Sequence, residues 1–172
     1  MPNIAYETGG SAAYSDGVGG GALIEEQQHI WRAFMRICSE LPQRLDAQLQ
    51  AEVGLALPAF DILALLGEAR EQSLRMSELA ALANSSPSRL SHLIERLEKS
   101  GWVIRIKSAQ DRRGSVAVLT QLGQQELQRG LPVQIKIISQ FFGLLSEHQL
   151  SNVQDIINTV LSGLDAGAGN EP

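Results

Sequence analysis

Residues 75–120 read RMSELAALANSSPSRLSHLIERLEKSGWVIRIKSAQDRRGSVAVLT. In that order stand a short apolar-periodic segment, a polar turn, a second periodic segment with a proline at its start, a glycine stop, and two β-prone runs around a basic connection. Ser77 is the expected cap for a helix over Glu78 to Ala83, Asn84-Ser85-Ser86 makes the turn, and Pro87 suits the first helical position because its missing N–H is not needed there. At about 100° per residue, Leu90, Leu93, Ile94 and Leu97 gather on one side of the helix that follows. Ser88, His92, Glu95 and Lys99 fall opposite, Arg89 and Arg96 share one flank, and Ser91 lies on the other. Gly101 ends the helix. Trp102 to Lys107 and Ser115 to Thr120 then form a hairpin across a polar, Gly-terminated link. The segment predicts a helix-turn-helix with a two-stranded β wing.

Charge sharpens this reading. Between Asn84 and Arg113 there are seven Lys or Arg residues against three acids, a local net of +4, whereas the rest of the chain holds seven bases and sixteen acids, a net of −9. One basic face on an acidic body suits a polyanion met in a single orientation. A major groove about 12 Å wide admits such a helix, N-terminal residues nearest the bases. The candidate DNA contacts are Ser86, Ser88, Arg89, Ser91, His92, Arg96 and Lys99 from the turn and helix, with Lys107, Asp111, Arg112 and Arg113 from the wing. Asp111 and Arg113 are two apart, so the carboxylate can hold a guanidinium extended toward a narrow, electronegative minor groove; Lys107 and Arg112 suit backbone phosphates. The plainer alternatives are a solvated charged helix and a surface ion pair of under about 1 kcal/mol.

Outside this segment the chain is expected to be mainly helical. Residues 1–21 are Gly-rich without periodicity, a flexible arm. Ile30, Trp31, Phe34, Ile37, Cys38, Leu41, Leu45 and Leu49 recur at intervals of three and four, one long amphipathic helix interrupted at Pro42, where a bend is expected near Cys38. Pro58 can open a second helix whose Phe60, Ile62, Leu63, Leu65 and Leu66 belong to the core. Helical spacing returns from Gln121 to about Leu145, and Ser146 with Gln149 fits a capping box before Leu150, Val153, Ile156, Ile157, Val160, Leu161 and Leu164. Residues 166–172 are expected to be a loose tail.

The quoted motifs resemble the MarR family of transcriptional regulators: Met76 to Ala80, Ser88 to Val103, and Asp111 to Thr120 running on to Gly123. The likeness covers about Ile24 to Leu164. It implies a winged helix-turn-helix homodimer whose first and last helices form the interface, and Asp111 and Arg113 as the wing pair with Arg113 in the minor groove. The domain plan that follows is an N-terminal dimerisation helix over 22–56, a DNA-binding domain over 57–120 and C-terminal dimerisation helices over 121–165. Dimerisation also follows from the apolar faces, which isolated helices do not leave wet. A two-fold pair sets its recognition helices about 34 Å apart, on a pseudo-palindromic operator.

The function expected is a sequence-specific, ligand-responsive repressor on double-stranded DNA. Two alternatives stay open: a redox-sensing regulator using Cys38, and a winged-helix module for an acidic protein partner. Trp31, Phe34, Cys38 and Phe60 are the candidate effector pocket, with core packing as the other reading, and Cys38 fits a small buried filler as well. A metal site is not expected, because His29, His92 and His148 are scattered with no second ligand at chelating spacing. No phosphate loop, carboxylate pair or activated nucleophile is recognisable, so neither an enzyme nor a cofactor is expected. A single cysteine, no basic residue before Arg32 and no apolar run of spanning length point to the cytoplasm and away from the membrane.

Overall fold

The computed structural model describes residues 20–107 and 114–168, with side chains for 24–107 and 114–164. The elements run α1 (Gly20–Val53), α2 (Leu57–Glu68), a 3-10 turn (Arg70–Gln72), β1 (Ser73–Arg75), α3 (Met76–Leu82), α4 (Pro87–Lys99), β2 (Val103–Lys107), β3 (Ser115–Leu119), α5 (Gln121–Phe142) and α6 (Glu147–Ala168). The chain divides into two compact units between Leu41 and Pro42.

The first unit holds the N-terminal part of α1. Helix begins at Gly20, so the last two residues of the expected arm are helical and the others, 1–19, lie outside the described residues. Ile30, Trp31, Phe34 and Ile37 are exposed, and Arg36 pairs with Glu40 one turn on. The helical assignment runs unbroken through Pro42, contrary to the expected interruption. Proline removes one donor, to the Cys38 carbonyl, and a helix of 34 residues keeps its remaining ladder.

The second unit is built around α2. Phe60, Ile62, Leu63 and Leu66 are buried there and Leu65 half-buried, joined by Leu49 of α1, Leu79 of α3, Leu90, Ile94 and Leu97 of α4, and Leu127 and Val133 of α5. Each such fully buried side chain contributes about 1.5–3 kcal/mol. The N–H of Leu57 donates to Asp46 Oδ1 at 2.7 Å, so an acid of α1 satisfies an orphan donor at the start of α2. Lys136 of α5 reaches Glu52 at 2.7 Å and ties α5 to the end of α1. Close packing needs Gly130: a Cβ there would lie 2.6 Å from the Phe60 ring.

The two-stranded wing is present as the hairpin β2–β3, and a strand not expected, β1, joins it on the other edge of β3, giving a sheet in the order β1-β3-β2, antiparallel throughout. The central strand β3 sets Ala117 between Leu74 and Arg105. Ser73-Leu74-Arg75 is too short to show alternation; it becomes a strand because β3 presents a free edge. That pairing also corrects the start of α3. The helix begins at Met76, directly from the strand, and the capping position, Arg75, makes no side-chain cap bond, so Ser77 is an interior residue and not a cap. Glu71 and Gln72, at φ 56° and 52°, take the left-handed conformation that turns the chain from α2 into β1.

α5 continues through Pro132. The capping box at α6 is reciprocal: Ser146 N–H donates to Gln149 Oε1 at 2.9 Å, and Gln149 N–H to Ser146 Oγ at 3.3 Å. α6 extends to Ala168, three residues into the expected loose tail, and residues 169–172 lie outside the described residues. No single described helix is long and apolar enough to cross a membrane.

Candidate nucleic-acid interface

The turn before α4 is set by local chemistry. Asn84 adopts φ 44°, a conformation asparagine tolerates, and Ser85 N–H donates to the Ala80 carbonyl at 2.9 Å. Ser86 is the N-cap, its Oγ accepting from Arg89 N–H at 3.4 Å, and Pro87 takes the first helical position. At the other end Gly101 has φ 75°, with Gly101 N–H bonded to the Glu98 carbonyl and Trp102 N–H to that of Leu97. That is a Schellman close, which glycine adopts without a Cβ penalty. Thr120 then locks the strand ends: its N–H donates to the Trp102 carbonyl at 3.0 Å, its hydroxyl to Gly101 O at 2.7 Å, and its Oγ1 accepts from Gly123 N–H at 3.0 Å.

Held this way, α4 buries Leu90, Ile94 and Leu97, half-buries Leu93, and exposes Ser88, Arg89, His92, Glu95, Arg96 and Lys99. Arg89 and Arg96 make no ion pair with a described residue. Lys99 is bonded to Glu95 at 2.9 Å on an exposed face, and that bond holds the Glu95 carboxyl below the usual range. A solvent-open pair of this kind gives way easily to a phosphate.

Ser91, an expected contact, and Arg105, one of the seven bases of the window, have structural work that sequence reasoning missed. Arg105 of β2 is part of the basic window, yet its Nε and Nη2 donate to Glu98 Oε2 at 2.8 and 2.7 Å, and its backbone N–H to Oε1 at 3.0 Å. Its Nη1 donates to Ser91 Oγ at 3.3 Å, so the half-buried Ser91 serves the junction of α4 with β2. Arg105 therefore neutralises Glu98, and among the described residues of the basic window the exposed cations are Arg89, Arg96, Lys99 and Lys107. The hairpin's arms are paired down to Lys107 opposite Ser115, where Asp111, Arg112 and Arg113 lie outside the described residues. The only advance signal of the Glu98 link was an acid and a base seven residues apart across a glycine stop, which is not a local pattern.

Of the candidate effector residues, Phe60 is fully buried in the core of the second unit. Trp31 and Phe34 are exposed on α1, and Cys38 is exposed too, not the buried filler of the alternative reading. Among the described residues no group of three or more His, Cys, Asp or Glu side chains is placed to hold a metal ion.

The chain resembles known proteins over most of its length. The MarR family model matches residues 55–115. Transcriptional repressor MprA of Escherichia coli (strain K12) is 31% identical over 136 residues, 79% of this chain and 77% of that protein. Sco3205, a MarR family transcriptional regulator from Streptomyces coelicolor solved in complex with DNA, superposes with a TM-score of 0.76 at 37% identity, over 81% of this chain and 91% of that one. AbsC, a second MarR family regulator from the same organism, gives 0.75 at 31% identity, over 81% and 94%.

Proposed function

The chain belongs to the MarR family of transcriptional regulators, and we propose that it is a sequence-specific DNA-binding repressor acting as a homodimer on a pseudo-palindromic operator in the cytoplasm. The observation that carries this is the two-faced α4: one side anchored by Leu90, Ile94 and Leu97, the other presenting Arg89 and Arg96, neither ion-paired with a described residue, behind a capped turn. The crystal of Sco3205 with DNA supports the same use of the fold.

In the proposed complex, α4 of residues 57–120 enters the major groove. Arg89 and Arg96 reach a guanine edge or phosphates, Lys99 and Lys107 meet phosphates, and Arg113, oriented by Asp111, enters the minor groove. The exposed apolar faces of α1 and α6 are the dimerisation surfaces, in keeping with helices over 22–56 and 121–165 assigned to assembly. Its role is regulatory and not enzymatic. An effector that prefers a poorly fitting spacing of the two recognition helices by several hundred-fold shifts the equilibrium by about 3.5 kcal/mol, enough to empty a promoter.

The test is sequence preference. Fragments of the source genome selected on the protein should share a two-fold motif and bind at least about a thousand-fold better than random duplex. Equal affinity for every duplex would favour a module that uses its basic face on an acidic protein.

A further inference from the structure

A groove of about 500 Å³ opens between α2, the end of α3 and the first turns of α4. Its floor is apolar, with Ile62 and Leu90 buried at the base and Leu65 and Leu93 half-buried in the walls. Asp61 and Glu68 stand along its α2 side, and among the described residues no Lys, Arg or His lines it. Positions 61, 65 and 68 fall on one helical face, so the two carboxylates flank Leu65 along a line of about 10 Å. Neither is in an ion pair with a described residue. Asp61 keeps one side open to water, while the apolar atoms around its carboxyl strip the other and push its pKa upward.

We infer that this groove is a binding site for a small organic cation with an apolar body. Small-molecule sites are largely apolar with a few charged or polar groups that fix orientation, and volumes of this order suit drug-sized ligands. A carboxylate partly stripped of water and lacking a cation gains most from a ligand that brings one. An anion of the same shape meets two like charges and no compensating base. Phe60 takes no part, since it is buried in the core of the same unit and does not line the groove.

The site also touches the element that matters for DNA. Leu90 and Leu93 belong to α4, and Asn84 and Ser85 form the turn that leads into it, so an occupant packs directly on the helix that presents Arg89 and Arg96. This consequence rests on the regulator reading; the binding itself does not. Equilibrium dialysis of the full chain, without DNA, against tetraphenylphosphonium and the equally shaped anion tetraphenylborate separates the two. The cation is expected to bind at least about tenfold more tightly than the anion, and Asp61→Asn with Glu68→Gln to weaken it by about tenfold or more while the melting temperature stays near that of the parent. No cation binding by the folded protein, equal binding of the borate, or an unchanged affinity in the double variant overturns the proposal. Cation binding without any operator preference removes the regulator reading and leaves the site; operator binding without cation binding removes the site and leaves the reading.

Discussion

Glu98, in the last turn of α4, receives three hydrogen bonds from Arg105 of β2: two from the guanidinium to Oε2 and one from the backbone N–H to Oε1. The link fixes the base of the hairpin to the end of α4, and the Arg105 bond is the first cause of a Glu98 carboxyl held below its ordinary value, against the opposing effect of desolvation. Both side chains are about 30% exposed, at 29% and 30%, so water screens the pair only in part.

Arg105→Ala is expected to cost about 1–2 kcal/mol and lower the melting temperature by a few degrees. The pH dependence has a fixed sign. A carboxyl depressed in the folded state contributes stability above its unfolded value of about 4.3 and loses it as pH falls through the folded value. The stability gap between the parent and Glu98→Gln should therefore be full at neutral pH and shrink below about pH 4. A gap that stays constant across thermal melts from neutral to acid would contradict this.

Gly123 is the second residue whose replacement is informative. A Cβ there would collide with the Trp102 carbonyl oxygen and lie 2.7 Å from Leu119 Cδ1, at the point where Thr120 joins the strand ends to α5. Gly123→Ala should destabilise by about 1–3 kcal/mol through overpacking. A melt identical to the parent would show that the junction has slack.

Phe60→Ala separates core from pocket. The ring is fully buried against Gly130, and its removal should cost about 3–5 kcal/mol in denaturant unfolding. A stable variant with altered ligand response would instead place Phe60 in an effector site.

Arg89→Ala and Arg96→Ala should leave the melting temperature unchanged, because both side chains are exposed and neither is ion-paired with a described residue. Where the guanidinium reads a guanine edge, its removal lowers operator affinity by about 1–3 kcal/mol; where it meets a phosphate, removal weakens binding to all sequences and reduces the salt slope by about 1. If about four bases per protomer meet phosphates, log K against log salt should fall with a slope near about −7. Arg113→Ala should weaken operator binding as well, and fluorescence anisotropy showing no loss would take the wing tip out of the complex.

Leu161→Glu places a charge on the exposed apolar face of α6. Sedimentation velocity should then show dissociation to monomers, with operator affinity falling alongside it. A variant that sediments as the parent does would put the dimer interface elsewhere.

The sequence by itself determined whatever short-range chemistry controls. Pro87 and Gly101 bracket α4, the Ser146 and Gln149 box starts α6, and the spacing of Leu90, Ile94 and Leu97 tells which side of the helix faces inward, since each depends on residues within about two turns. Tertiary structure alone decided the rest. Ser73–Arg75 became a strand because β3, more than 40 residues later, offered an edge, and that pairing moved the start of α3 from the apparent cap at Ser77 back to Met76. Arg105 changed from a candidate contributor to the basic face into the partner of Glu98, and Asp61 came to border a groove, because side chains distant along the chain meet only when the core closes. Local periodicity specifies which face of an element is apolar; the charges that remain available to a ligand are those left unpaired after packing.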